Sequence, residues 1–320
     1  MRRAVLLGVL AVACFAIAGS IAAALFVQGA SSRALTYAAR FLPGEKPPEA
    51  VVLFAGDMMF DRAIRIAAQR HREDYIFSCI ADVLREADIV VGNLEGPITS
   101  RPSMSAGSII DTPENYTFTF PTTTGELLAR HNVRLVHIGN NHTFDMGGEG
   151  LAETRHWLEA ASVAFFGDPE NKTHYIARED IGGVPLSFVG WNDWYGPSRE
   201  ETLAQIAAEA AAGRVVVAYA HWGEEYVPAT ERQKELARDF VDAGAQLVIG
   251  SHPHVIQEDE IYKGAHIYYS LGNFIFDQYW EDAVRTGLLV RVTFSPAGVE
   301  HIEEIPVWLE RDRRTCPLAQ

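Results

Sequence analysis

Five short segments carry residues able to ligate a metal ion. They are Gly56-Asp57, Asn93-Leu94-Glu95, Gly139-Asn140-Asn141-His142-Thr143-Phe144-Asp145, His221-Trp222-Gly223-Glu224 and Gly250-Ser251-His252-Pro253-His254. Together they offer carboxylate and amide oxygens and imidazole nitrogens. That mixture suits divalent transition ions such as Mn, Fe or Zn better than Ca or Mg. No thiolate accompanies the set, so a structural zinc finger is excluded. Taken singly, each piece has an ordinary explanation: Gly-Asp after a strand is a turn, Glu95 a surface acid, Asn141 a turn residue. His71, His156, His174 and His301 read as solvated or structural histidines. The joint pattern carries the argument, because ligand types recur after successive apolar runs and end in a His-x-His pair.

The elements that must position these residues follow from periodicity. Short β-branched or apolar runs at 51–55, 89–92, 134–138, 163–166, 185–189, 215–220, 247–249, 266–271 and 288–294 read as strands. Amphipathic segments at 62–70, 79–86, 125–131, 150–161, 199–212 and 231–243 read as helices. This alternation describes one α/β or layered α+β domain over 50–310, followed by a C-terminal tail, 311–320. Ligands of such sheets bind beyond the carboxyl ends of the strands, where the five segments fall. Residues 99–124, rich in Ser, Thr and Pro, read as a long surface loop near the site.

Composition limits the partners. The 320 residues are 48% hydrophobic and 22% charged, enough for a sizeable core. With 27 Lys+Arg against 42 Asp+Glu the net charge is -15, which argues against nucleic-acid binding. Arg2 and Arg3 precede an uncharged apolar stretch, residues 4–27. At about 1.5 Å per residue it can cross a hydrocarbon core of about 30 Å, and the flanking charges hold its start in the cytoplasm. Residues 1–30 therefore read as a signal anchor, placing a single-pass protein in the cell membrane with its working domain outside the cytoplasm. Cleavage near Ala22-Ala23-Ala24 or Gln28-Gly29-Ala30 is the competing reading. Residues 31–49 form a linker. Cys79 and Cys316 can form one bridge, which spacing leaves undecided.

The ordered set Gly56-Asp57-Met58-Met59, Asn93-Leu94-Glu95-Gly96, Gly139-Asn140-Asn141-His142, His221-Trp222-Gly223-Glu224-Glu225-Tyr226, Gly250-Ser251-His252-Pro253-His254-Val255 and Tyr269-Ser270-Leu271-Gly272-Asn273-Phe274 resembles the CapA family of poly-γ-glutamate capsule biosynthesis proteins. That family is similar to the calcineurin-like metallophosphoesterases. The resemblance implies an α+β layered sandwich of the metallophosphoesterase type, two mixed β-sheets flanked by helices. It also implies roles. Asp57 and His254 would hold a first metal, Glu95 would bridge, and Asn141, His221 and His252 would hold a second. His142 would protonate the leaving group, oriented by Asp145. Two such cations would activate a water and stabilise a negative transition state. Arg62, Asn93, Trp222, Glu224, Tyr226 and Asn273 would line the substrate pocket.

The chain departs from that pattern in two places. Met59 stands where the superfamily has a histidine, and the bridging carboxylate is Glu rather than Asp. A single ion at Glu95, Asn141, His221 and His252 is therefore an alternative, as is completion of the first site by Asn93, Asp61 or water. The function implied is an exported, membrane-anchored, metal-dependent hydrolase-fold protein acting in biosynthesis, export or anchoring of poly-γ-glutamate or a similar capsular polymer. Its expected partners are the polymer or a phosphoester substrate and other membrane proteins of a capsule synthesis complex. A general extracytoplasmic phosphodiesterase or nucleotidase, and a non-catalytic polymer- or partner-binding member, remain the alternatives.

Overall fold

The computed structural model describes residues 47–318, apart from the His174 side chain. The signal anchor expected at 1–30 and most of the linker lie outside the described residues. Among the described residues no helix is long and apolar enough to cross a membrane.

In chain order the strands are β1 (Ala50–Met58), β2 (Ile89–Leu94), β3 (Val133–His137), β4 (Ala164–Phe166), β5 (Ile176–Ile181), β6 (Val184–Asn192), β7 (Val215–His221), β8 (Leu247–Ser251), β9 (Asp259–Tyr262), β10 (Ala265–Tyr268), β11 (Asn273–Ile275), β12 (Thr286–Ser295), β13 (Gly298–Leu309) and β14 (Thr315–Pro317). The helices are α1 (Arg62–His71), α2 (Ala81–Arg85), α3 (Thr124–Arg130), α4 (Gly147–Ala160), α5 (Arg199–Ala211), α6 (Glu231–Ala243) and α7 (Asp282–Arg285). Among the described residues, one sheet of eight strands runs β14-β13-β12-β1-β2-β3-β4, with β11 paired to the end of β1. The other, of six, runs β5-β6-β7-β8-β10-β9. Both are mixed: β1 to β4 are mutually parallel, as are β6, β7, β8 and β10, with antiparallel strands outside them. The expected layered sandwich of two mixed sheets and flanking helices is the observed architecture.

Strand alternation explains the layers. Val52 and Phe54 of β1, Val217 and Tyr219 of β7 and Ile249 of β8 meet between the sheets. Their sequence neighbours face outward: Leu53 and Ala55 lie under α1 to α4, and Val216, Ala218 and Val248 lie under α5 and α6. Strands buried on both faces need continuous apolar runs, the pattern seen in the sequence. Each large apolar side chain so buried contributes about 1.5–3 kcal/mol relative to exposure. Helices α5 and α6 start at capping boxes, Ser198 with Glu201 and Thr230 with Gln233.

Two glycines let backbones meet beneath the site. A Cβ on Gly56 would lie 1.9 Å from Gly272 O, and one on Gly250 would lie 1.9 Å from Tyr269 O. The Tyr219 hydroxyl donates across the sheets to Ala55 O at 2.6 Å.

The sequence reading missed β5, β9, β11, β13 and β14. In β13 the polar residues Glu300, His301, Glu303 and Glu304 mask the period, because that strand exposes much of its length. Residues 311–318, set apart as a tail, carry β14 into the first sheet, and Cys316 is bonded to Cys79. The open question of that bridge is thereby answered.

Candidate metal centre

Register brings the polar residues together. Asp57 of β1 pairs with Asn93 of β2, and Asn93 with His137 of β3. On the second sheet His221 of β7 lies between Asn192 of β6 and Ser251 of β8. The β1–β2 register slips between Phe54 and Asp57, an irregularity of the kind that re-aims a side chain. Glu95 follows β2, Asn141 and His142 follow β3, and His252 and His254 follow β8. His252 and His254 adopt φ of 97° and 57°, left-handed conformations that cost non-glycine residues about 1–3 kcal/mol each. The His252 N–H donates to Asp57 Oδ2 at 3.1 Å, tying the loop to the carboxylate.

Asp57, Glu95 and His254 are buried, and one ligand atom from each lies within 4.8 Å of the others. The Asn93 amide organises them. Its Nδ2 donates to Asp57 Oδ1 at 2.8 Å and lies 3.3 Å from Glu95 Oε2 and 3.1 Å from His221 Nδ1. Its Oδ1 accepts from Asn140. His254 Nδ1 faces Asn273 Oδ1 at 3.0 Å and Asp57 Oδ2 at 3.4 Å, so the proton belongs there and the Nε2 lone pair faces Glu95 Oε1 at 3.5 Å. Glu95 Oε1 is buried and has no hydrogen-bond partner among the described residues. An orphaned carboxylate oxygen facing an imidazole lone pair is what a cation resolves, and a ligating histidine usually donates its other N–H to a carbonyl or carboxylate. The residues present therefore fit a divalent ion.

The second group is differently satisfied. His221 Nε2 faces Asn141 Oδ1 at 2.8 Å, and its Nδ1 lies 3.0 Å from Ser251 Oγ. The His252 ring lies 4.8 Å from that of His221, with its Nδ1 buried and unpartnered among the described residues. Burial, with the neighbouring histidines, holds His221 well below its ordinary pKa and brings His252 down to about 4. Both are neutral, the form that ligates. Burial also raises Glu95 well above its ordinary value, with Asp57 adding repulsion. At Asp57 burial acts in the same sense, but His254, Asn93 and the His252 N–H outweigh it and the carboxyl is lowered.

His142 stands at the edge. Its Nδ1 is 2.9 Å from Asp145 Oδ2, which also accepts the Phe118 N–H at 2.7 Å. Its Nε2 is 3.9 Å from Glu95 Oε1.

The expected pocket residues are less uniform. Tyr226 is half-exposed at the mouth, 5.9 Å from the His254 ring, and Arg62 lies close to the rings walling it. Asn93 and Asn273 are buried and spend their amides on the ligands; Asn273 Nδ2 donates to His254 O, Gln278 and Val284 O. Trp222 is away from the pocket. Being next to His221 on an extended chain, it points to the other face of the sheet, stacks on Phe240 and donates to Tyr269 O. Glu224 is on the exposed loop beyond it. Asp61, weighed as a substitute ligand, turns away to accept from Arg65, Ser103 and the Thr119 N–H, and so pins the 99–124 loop beside the site. Met59 is in the core, its sulfur accepting the Asp61 N–H.

Sequence reasoning missed Trp194, which is 41% exposed and 4.6 Å from the His252 ring. The signal was available: β6 runs to Asn192, past the expected end at Val189, and the aromatic pair Trp194-Tyr195 follows it.

Residues 51–278 match the family model described as bacterial capsule synthesis protein. Over 276 residues the chain is 30% identical to the PGA biosynthesis protein CapA of Bacillus subtilis, covering 79% of this chain and 70% of that one. It is 29% identical to the capsule biosynthesis protein CapA of Bacillus anthracis, covering 79% and 66%. A probable polyglutamine synthesis accessory protein of Mycobacterium tuberculosis is 26% identical over 44% of each chain. The chain thus spans about two thirds of the length of its Bacillus relatives. With these motifs on one edge of a two-sheet sandwich, the chain belongs to the bacterial capsule synthesis protein family.

Proposed function

We propose that the chain is an exported, membrane-anchored, metal-dependent hydrolase of phosphoesterase type acting in biosynthesis, export or anchoring of poly-γ-glutamate or a similar capsular polymer. The observation that carries the hydrolase reading is the orphaned Glu95 Oε1, which faces His254 Nε2 at 3.5 Å and His142 Nε2 at 3.9 Å. A divalent ion at Asp57, Glu95 and His254, with Asn141, His221 and His252 as donors for a second, would lower the pKa of a bound water and stabilise negative charge. Asp145 holds His142 by Nδ1, so a protonated His142 presents its second proton on Nε2 toward the centre. A centre needed only for structure has no use for that proton donor. The polymer rests on the relatives' names, and moving a long anion through a membrane calls for partner membrane proteins. The Cys79–Cys316 bond supports a position outside the cytoplasm, because such bonds persist in oxidising compartments.

The test uses the full chain in detergent. Elemental analysis should find one or two transition ions per chain, and a phosphodiester such as bis(p-nitrophenyl) phosphate should be hydrolysed. His142→Ala should keep the metal and lose about 10²–10⁴-fold in rate. Loss of the metal in that variant would move His142 into the ligand set, and a native chain without metal would end the hydrolase reading.

A further inference from the structure

The Arg62 guanidinium lies between two phenylalanine rings, 5.1 Å from the Phe118 centroid and 5.4 Å from the Phe276 centroid. Each ring has a second neighbour in the centre. Phe118 packs on His142 at 4.3 Å, and Phe276 packs on His254 at 4.7 Å. The cation therefore sits on the two walls that carry the proton donor and a candidate ligand. One end of it is held by Asp277 at 2.5 Å, and Asp277 also accepts the Ala63 N–H. Arg62 Nε is buried and has no hydrogen-bond partner among the described residues. The residue takes φ of 45°, a left-handed conformation held where the surroundings over-determine it.

A guanidinium with a free donor, stacked between aromatic faces and fixed by one ion pair, is suited to a planar or tetrahedral oxyanion. Lysine has neither the fork nor the flat face. We propose that Arg62, in the Phe118–Phe276 slot, is the substrate-anion site of the centre, receiving an oxyanion of the group that occupies it. This rests on the reading of the centre as a metal site. The oxyanion has two sources, a carboxylate of a γ-linked glutamate chain or a phosphate.

The experiment titrates γ-linked triglutamate and, separately, inorganic phosphate into the full chain in detergent, loaded with the metal it purifies with. Native, Arg62→Lys and Arg62→Gln proteins are compared by calorimetry, each with its metal content measured. Arg62→Gln should keep the metal and weaken one of the two ligands about tenfold or more, with Arg62→Lys intermediate. Loss confined to triglutamate identifies the polymer carboxylate as the source, and loss confined to phosphate identifies the phosphoester. Affinities within twofold of native for both ligands would overturn the proposal, as would a metal-loaded native chain that binds neither. Should Arg62→Gln fail to fold, Arg62→Lys decides: at least a threefold loss is expected, and none overturns the assignment. A native chain without metal would fail the reading of the centre instead, so the two failures are distinguishable.

Discussion

The two halves of the centre differ in how they are satisfied. Asp57, Glu95 and His254 hold two buried carboxylates close together, with one oxygen left unpaired. Asn141, His221 and His252 are neutral, and Asn141 and His221 satisfy each other at 2.8 Å. The first half is a concentrated negative site that costs stability when empty. The second can rest without an ion. This is the reverse of what the missing first-motif histidine suggested, because the lost ligand at Met59 leaves both carboxylates and His254 in place. Charge and burial, more than the number of ligands, set which half most needs a cation.

The largest expected effect on the two halves comes from Glu95→Gln. Metal affinity should fall at least about 100-fold, while the metal-stripped protein becomes more stable by about 1–2 kcal/mol as the repulsion with Asp57 disappears. Metal titration and urea unfolding of the stripped protein check both signs, and a destabilised stripped variant would show the carboxylates are not in conflict. On the other half, Asn141→Ala should lower metal content less steeply, by about tenfold in affinity. It should also cost the stripped protein about 1 kcal/mol, since His221 loses its acceptor. Unchanged metal stoichiometry in both Asn141→Ala and His252→Ala would remove the second half from the ligand set.

The smallest effect is on pH dependence in the stripped protein. His252 titrates at about 4 when folded against about 6.5 unfolded, so the unfolded chain binds the extra proton between those values and stability falls as pH falls. Glu95 works in the opposite sense. Its folded value is raised, so above its ordinary value the folded chain holds the extra proton and stability rises as pH falls. Glu95→Gln should therefore lose stability more steeply than the native chain between about pH 6.5 and 4. Parallel curves in urea unfolding at several pH values would contradict this.

Much of the fold was legible because both central faces are buried, which writes β1, β7 and β8 as continuous apolar runs. The edge strands β5 and β9 and the largely exposed β13 were not, since an exposed strand needs no apolar period. β11 and β14 are three residues each, too short to show one. Within the site, Asp57, Glu95 and the histidines were legible because each stands where an apolar run ends. Trp222 was misread for a related reason: adjacency to His221 in sequence means the opposite face in a strand.

Local periodicity in the chain dictates the alternation of strands and helices and the delivery of ligand types to the carboxyl ends of the strands. Long-range packing is what makes Asn93 link both halves, turns Asp61 away to hold a loop, sets Arg62 between Phe118 and Phe276, and brings Cys79 to Cys316 across a separation of 237 residues. The physical reason is that periodicity fixes which face a residue occupies. Which distant residue shares that face depends on sheet order and register, and those are set by the packing of the whole domain.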